Sequence, residues 1–414
     1  MIVRGFGRRL AGALPPAGPQ RAMVLSSVAN RIGNGLFNSA SALYFTRVVH
    51  LPATQVGLGL TVAGLVGLLA GVPAGYLADR RGPRTVMLVT LAAQTLTMLA
   101  FLLIRDWWAF TVVAALDTLA LSANNAARGA VIARVGGEQP AAFRARLRTF
   151  VNLGVVVGTL GAAVAVQRDT PGAYTALVLG NAASYVVCGL LLLRVPDYPP
   201  LPRPPRQRAR VAVLGDRPFL CFAAVNGAMG LQYTVVSLVL PIWIAAHTQA
   251  PRWTVAAVNA VNAAACLALQ TRIGRRVETP AQGGRALRRA GLLFLASCPL
   301  LALTARVQAW PAAVLLVVAI VLHSLGEVYE SSAGFALGFG LAPEHAQGEY
   351  QGLLGLGFDL GQAIGPALLT TLCLGLGEGG WLALGVGFAV LGATGPALAG
   401  WGLRTRPDPL AQPA

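Results

Sequence analysis

Gly75-Tyr76-Leu77-Ala78-Asp79-Arg80-Arg81-Gly82-Pro83-Arg84 is a short charged turn between two long apolar runs. The run before it begins near residue 54, and the run after it continues to about 104. Each is roughly 20 residues long, the length of helix that crosses a hydrocarbon core ~30 Å thick. Working outward from this turn, the same alternation places spans at about 22–46, 54–78, 85–104, 108–130, 147–167, 172–193, 218–246, 253–271, 287–305, 310–340, 350–375 and 380–403. Each must be helical, because lipid offers no partner to a free backbone N–H or C=O. The expected fold is therefore an all-α membrane protein with 12 transmembrane helices.

Composition leads to the same class. Of 414 residues, 55% are hydrophobic and 11% are charged, and the mean hydropathy is +0.64. A soluble domain carries about a quarter of its residues as charges. The net charge is +17 and every basic residue is Arg. Such a balance often marks nucleic-acid binding, and the positions of the arginines decide against it. With the N-terminus inside, the inner segments 1–21, 80–84, 134–148, 194–217, 272–289 and 404–406 hold 25 Arg. The outer loops hold five: Arg47, Arg105, Arg168, Arg252 and Arg306. This positive-inside asymmetry predicts both termini in the cytoplasm. Only the inner loop 341–349 lacks it.

The longest connection, 194–217, contains six prolines and six arginines and is expected to be extended and hydrated rather than helical. The sequence thus reads as an N-terminal tail 1–21, a six-span region 22–193, the linker 194–217, a second six-span region 218–403 and a C-terminal tail 404–414. The tail 1–21 is no signal peptide, since Arg8 and Arg9 break its short apolar run before Pro15.

The turn 75–84 fills every fixed position of Gly-x-Leu-x-Asp-Arg-x-Gly-x-Arg. It resembles the signature that the major facilitator superfamily carries between its second and third spans. Gly75 removes a side chain where two helices approach closely. Asp79, at the end of a span, can accept from the N–H groups that open a neighbouring helix. The resemblance implies that Gly75, Asp79, Arg80, Gly82 and Arg84 form a conformational latch between two pseudo-symmetric six-helix bundles. A tight basic turn obeying the positive-inside rule is the alternative. The corresponding turn of the second half, Arg272-Ile273-Gly274-Arg275-Arg276, has no acid.

The fifth span carries Gly154, Gly158 and Gly161, and the eleventh carries Gly357, Gly361, Gly365 and Pro366. Glycines one helical turn apart make a smooth face for close packing. The fifth-span run is similar to the antiporter signature of drug exporters, Gly-x-x-x-Gly-Pro-x-x-Gly, but has Thr159 where proline belongs. A packing role and a coupling role both remain open for these residues.

Charges inside spans cost ~3 kcal/mol or more unless paired or hydrated, and are read first as functional. Asn30, Asn34 and Asn38 form a polar stripe beside Arg31, roughly 15 Å into the first span. These four, with His323, are the candidate substrate-cavity residues. Glu327 lies near mid-span one helical turn from His323. A carboxylate removed from water favours its neutral form, which suits it to carry a proton. Glu327, Asp117 and Asp359 are the candidate proton-coupling residues; the Gly326-Glu327 step resembles one in proton-coupled members of the superfamily. Structural pairing of Arg31 and structural hydrogen bonding of Glu327 stay open beside these roles. Arg128 and Glu330 are the other intramembrane charges.

No phosphate-binding loop, nucleophile elbow or metal-ligand spacing is present, so no catalytic residue, cofactor or metal is expected. The five cysteines stand singly and are expected to fill the core. Absence of Lys with abundant Ala, Gly, Arg and Pro suggests a bacterial plasma membrane. The resemblance implies a non-enzymatic, monomeric secondary transporter working by alternating access, with a small-molecule substrate, protons and membrane lipids as its partners and no nucleic acid. Proton-coupled efflux of an amphipathic molecule is the preferred reading. Proton-coupled nutrient uptake is the alternative, and a non-transporting membrane sensor or enzyme a remote one.

Overall fold

The computed structural model describes residues 14–38, 40–137, 139–200, 212–251 and 253–406. The middle of the expected linker and the far ends of both expected tails lie outside the described residues. Among those described there is no strand. Thirteen helices account for the expected spans: α1 Pro19–Asn38, α2 Ala53–Gly67, α3 Gly71–Arg81, α4 Pro83–Phe101, α5 Trp107–Val135, α6 Pro140–Arg168, α7 Pro171–Leu192, α8 Arg217–His247, α9 Trp253–Gly274, α10 Pro280–Leu303, α11 Ala309–Gly340, α12 Glu344–Gly375 and α13 Glu378–Arg404.

Local signals set the helix starts. Asp106, Thr170, Asp216 and Thr279 each accept a hydrogen bond from an amide of the first turn that follows. At Thr279 the side chain of Gln282 completes a capping box. Proline opens α4, α7 and α10, where its missing N–H has no intrahelical partner to lose.

Among the described residues, nine of the helices are long and apolar enough to cross a membrane, and ten if α2 and α3 count as one bent span. The bend between them is 46°, where the sequence suggests a continuous helix over 54–78. Pro73 lacks the N–H that would bond the carbonyl one turn earlier, in the break itself. The two remaining spans are α1 and α5. Both are long enough, but Asn30, Arg31 and Asn34 in one, and Asp117, Asn124 and Arg128 in the other, lower their apolarity. The helices that look least suited to lipid are those that hold the polar candidates of the first half.

The outward surfaces are apolar. Along α4, Val89 and Leu96 recur two turns apart and are 64% and 67% exposed, whereas Thr90, Gln94 and Thr97 of the same helix are buried. This is a soluble helix turned inside out, and it fits a lipid-facing surface.

The chain divides into two compact units. The first contains residues 1–138, 147–208 and 344–352, and the second contains 139–146, 209–343 and 353–414. In the first, α1 packs on α7, and α5 on α2 and α4. Phe45 is central to an aromatic cluster there, with ring centroids 5.1 Å from Phe101 and 4.5 Å from Phe110. In the second, α10 packs between α11 and α13. Gly291 and Gly392 let backbones meet: a Cβ on Gly291 would lie 2.5 Å from the Phe388 carbonyl oxygen.

Candidate functional site

The 75–84 turn is built around one carboxylate. Asp79 ends α3, and its two oxygens accept from the backbone N–H groups of Gly348 (2.9 Å) and Glu349 (3.0 Å) at the start of α12. These amides have no intrahelical acceptor, and the helix start carries partial positive charge, so the carboxylate meets both needs. Glycine permits the approach. A Cβ on Gly75 would lie 2.0 Å from the Gly348 carbonyl oxygen, and one on Gly352 would lie 2.3 Å from that of Gly71. Gly82 reverses the chain with φ 90°, a conformation that side chains oppose. Arg84 donates to the Leu193 carbonyl at 2.9 Å, and the Arg80 guanidinium lies 4.8 Å from the centre of the Tyr76 ring. The result is a clasp within the first unit between segments 269 residues apart.

The first unit also holds a polar cluster on α1, α4, α5 and α7. Asn34 donates to Asn30 (3.3 Å), Tyr185 donates to Asn34 (2.9 Å), and Asn181 donates to Tyr185 (3.4 Å). Asp117 accepts from the Thr97 hydroxyl at 2.6 Å. Arg31 makes no hydrogen bond or ion pair with any described residue, and its Nε is wholly enclosed. Arg31 and Asp117 form no ion pair with each other. Asn38 stands apart from this cluster, exposed at the end of α1. Behind α1 runs the glycine face of α6. A Cβ on Gly154, Gly158 or Gly161 would lie 3.0 Å from the Val28 oxygen, 2.2 Å from the Ile32 oxygen or 2.7 Å from the Leu36 side chain.

The second unit gathers a cluster richer in acid. Glu327 is buried in α11, and the Asn262 amide of α9 donates to its Oε2 and to Ser324 Oγ, both at 3.0 Å. Tyr233 of α8 donates to Glu330 at 3.3 Å. The His323 ring lies 4.8 Å from Phe294, with Nε2 3.4 Å from the Gln232 carbonyl oxygen. Its Nδ1 and both amide atoms of Gln232 are buried without a hydrogen bond to any described residue. Asp359 is exposed on α12 and hydrogen-bonds no described residue. The α12 glycines press on α8: a Cβ on Gly357, Gly361 or Gly365 would lie 2.8 Å from the Ala223 oxygen, 2.5 Å from the Gly227 oxygen or 2.7 Å from Thr234 Oγ1. Pro366 sits inside the same helix, its carbonyl accepting from Thr370 at 2.6 Å.

Several members of these clusters carry no motif. Tyr185 and Asn181, Thr97, Asn262, Gln232 and Tyr233 are single polar residues in apolar helices, and that isolation is the one signal they give. Among the described residues, no group of three or more His, Cys, Asp or Glu is placed to hold a metal ion. The five cysteines are free, and four of them are buried.

A bent second span, glycine-faced fifth and eleventh spans and a carboxylate clasp on one all-α frame describe a transporter scaffold. The family model of the Major Facilitator Superfamily matches residues 23–366, and the chain belongs to that superfamily of transporters. Multidrug resistance protein MdtH of Cronobacter sakazakii is 25% identical over 337 residues, which is 80% of this chain and 78% of that relative. An uncharacterized transporter of the same type, YqjV of Bacillus subtilis, is 28% identical over 190 residues, 45% of this chain and 45% of that relative's length. A bacterial homologue of the iron transporter ferroportin, solved in an outward-facing state, superposes with a TM-score of 0.73 at 14% identity over 93% of this chain and 99% of its own.

Proposed function

We propose that the protein exports an amphipathic small molecule in exchange for protons. The observation that carries this reading is Glu327, a carboxylate only 7% exposed in the middle of a 32-residue apolar helix. A carboxylate in the middle of a membrane-spanning helix is a protonatable group at the depth a proton carrier needs. Similarity to a multidrug resistance protein supports export and a poorly defined, apolar-rich substrate. Asp117 and Asp359 are the secondary proton candidates, and Asn30, Arg31, Asn34, Asn38 and His323 contribute to substrate binding. Residues 22–193 and 218–403 serve as the two halves of an alternating-access cycle, joined by the linker 194–217. The Asp79 clasp opens and re-forms in each turnover. The protein works as a monomer in a bacterial cell membrane, with the tails 1–21 and 404–414 in the cytoplasm, as the arginine asymmetry supports.

The test is Glu327→Gln, which keeps size and a hydrogen-bonding end but cannot release a proton. In proteoliposomes, movement of a fluorescent dye driven by a pH gradient should cease, while dye binding in detergent survives. Driven movement at the parent rate would remove Glu327 from the proton path and leave Asp117 and Asp359 to be tested in its place.

A further inference from the structure

Among the described residues, Arg31 is an intramembrane charge of the first unit with no hydrogen bond or ion pair. Arg128 bonds Asn125, and Asp117 bonds Thr97. Arg31 occupies the thirteenth position of the 20-residue α1, which is roughly 18 Å along the axis at ~1.5 Å per residue. The helices packed around it explain why it stays unpaired. Neither α6 nor α7 contains a single Asp or Glu, and α4 contains none. The one acid of α5 is Asp117, whose carboxylate takes the Thr97 hydroxyl at 2.6 Å and forms no ion pair. Neutral acceptors nearby are already engaged, since Asn30 Oδ1 accepts from Asn34 and Asn34 Oδ1 accepts from Tyr185. Gly154 presents no side chain to Arg31 either; a Cβ there would lie 3.3 Å from Arg31 Cβ.

A guanidinium at this depth, with an enclosed and unbonded Nε and no ion pair to a described residue, is an uncompensated positive charge. Its planar fork of five N–H donors matches carboxylate, sulfonate or phosphate oxygens two at a time. The surrounding Asn30, Asn34, Asn181 and Tyr185 supply neutral hydrogen-bonding groups but no competing negative charge at Arg31.

We propose that Arg31 receives the anionic group of the transported molecule, so that the substrates are amphipathic organic anions. This rests on the transporter reading above and narrows its substrate class. The same oxyanion chemistry occurs in a phospholipid headgroup, and the two sources are separable.

The experiment uses the full-length protein purified in a maltoside detergent, and no proton gradient. Thermal unfolding and equilibrium binding are measured for the parent, Arg31→Gln and Arg31→Lys. The probes are 1-naphthaleneacetate, its uncharged amide, and phosphatidylglycerol. Without an added anion, Arg31→Gln should melt about 2 °C higher than the parent or more, because a half-buried charge with an enclosed, unbonded Nε has been removed. Naphthaleneacetate should raise the melting temperature of the parent and bind it with an affinity that falls about tenfold or more in Arg31→Gln. Arg31→Lys should retain part of that affinity, and the amide should bind both proteins alike.

A lower melting temperature for Arg31→Gln would show Arg31 to be structurally neutralised and overturn the proposal. So would equal binding of acid and amide, or failure of the acid to bind the parent. An Arg31-dependent shift with phosphatidylglycerol alone would assign the charge to lipid and overturn the substrate assignment. None of these readouts depends on proton coupling, so loss of the Glu327 reading would leave them unchanged, and the reverse holds.

Discussion

In the first unit the glycines of α6 press against α1, and in the second those of α12 press against α8. The positions six spans apart use the same device, and in both cases the close contacts are largely backbone to backbone. The polar residues placed on these frames differ. The first unit gives α1 an Arg31 with no partner among the described residues and keeps the single acid of α5, Asp117, at a hydroxyl. The second gives α8 the neutral Gln232 and Tyr233 and concentrates acid on α11, where Asn262 and Tyr233 donate to Glu327 and Glu330. The glycine-faced frames of the two units thus carry different charges, basic on α1 and acidic on α11, and the proposed anion site and proton site fall in different units.

The turns diverge in the same manner. Asp79 in the first unit holds two helix-opening amides. In the second unit, Gly274 meets Ala145, whose Cβ would lie 2.5 Å from an added Cβ, and Arg144 lies 5.5 Å from the centre of the Phe335 ring. The first contact is built on a carboxylate and two amides, and the second includes close-packed small residues and a cation–π contact.

The most severe test of the shared scaffold is a bulky residue on each glycine face. Gly158→Leu and Gly361→Leu should each cost about 3 kcal/mol or more, because the obstruction is backbone that cannot swing away. Melting in detergent measures both, and tolerance of one with loss of the other would break the equivalence of the two faces.

Next comes the contrast between the turns. Asp79→Asn should leave the protein inserted and folded, yet lower dye transport by about tenfold or more, since a charge-assisted pair of bonds of about 1.5–3 kcal/mol each is weakened. Arg144→Ala, which removes the contact with the Phe335 ring, should lower transport less than Asp79→Asn does. Equal effects in proteoliposomes would make the two turns functionally alike despite their chemistry.

Orientation is tested by single cysteines in a cysteine-free background. Arg275→Cys should react with an impermeant thiol reagent from the cytoplasmic face, and Asp169→Cys from outside. The opposite pattern would invert the topology.

The smallest effect is expected at the surface. Asp169 accepts from Tyr174 and pairs with Arg47, and these partners, Tyr174 foremost, hold its carboxyl below the usual range. A carboxyl depressed in the folded state contributes stability above its unfolded value, near pH 4, and loses it as pH falls through the folded value. Asp169→Asn should therefore alter the melting temperature by about 1 °C or less at neutral pH. That difference should vanish in strong acid; a difference that grows on acidification would contradict the assignment.

The spans were legible because lipid imposes one length and one polarity on each of them, and the glycine faces because their spacing is periodic. The turn at 75–84 was legible in its parts: Gly75 as a close approach and Asp79 as a helix-end acceptor. Its partner was not, since nothing around Gly348 or Glu349 marks those amides as the ones that Asp79 meets. The bend after α2 was hidden because Pro73 is ordinary in membrane helices and only the three-dimensional path shows which turn it opens. Asn38 belonged to the polar stripe by spacing alone, yet α1 ends there and exposes it. The neighbours of Arg31, Asp117 and Glu327 come from other helices, so the sequence named the charges without saying which would find partners.

The first unit is completed by residues 344–352, which are made long after the rest of it. Asp79 leaves the ribosome 269 residues before the amide it will hold. At a synthesis rate of about 5–20 residues per second, this interval lasts on the order of 10 to 60 s. Throughout it, the carboxylate and the bare backbone around Gly75 stand open at the membrane surface. The insertion machinery therefore handles a first half that cannot close on its own, and a nascent chain arrested before α12 emerges would carry this seam unsealed.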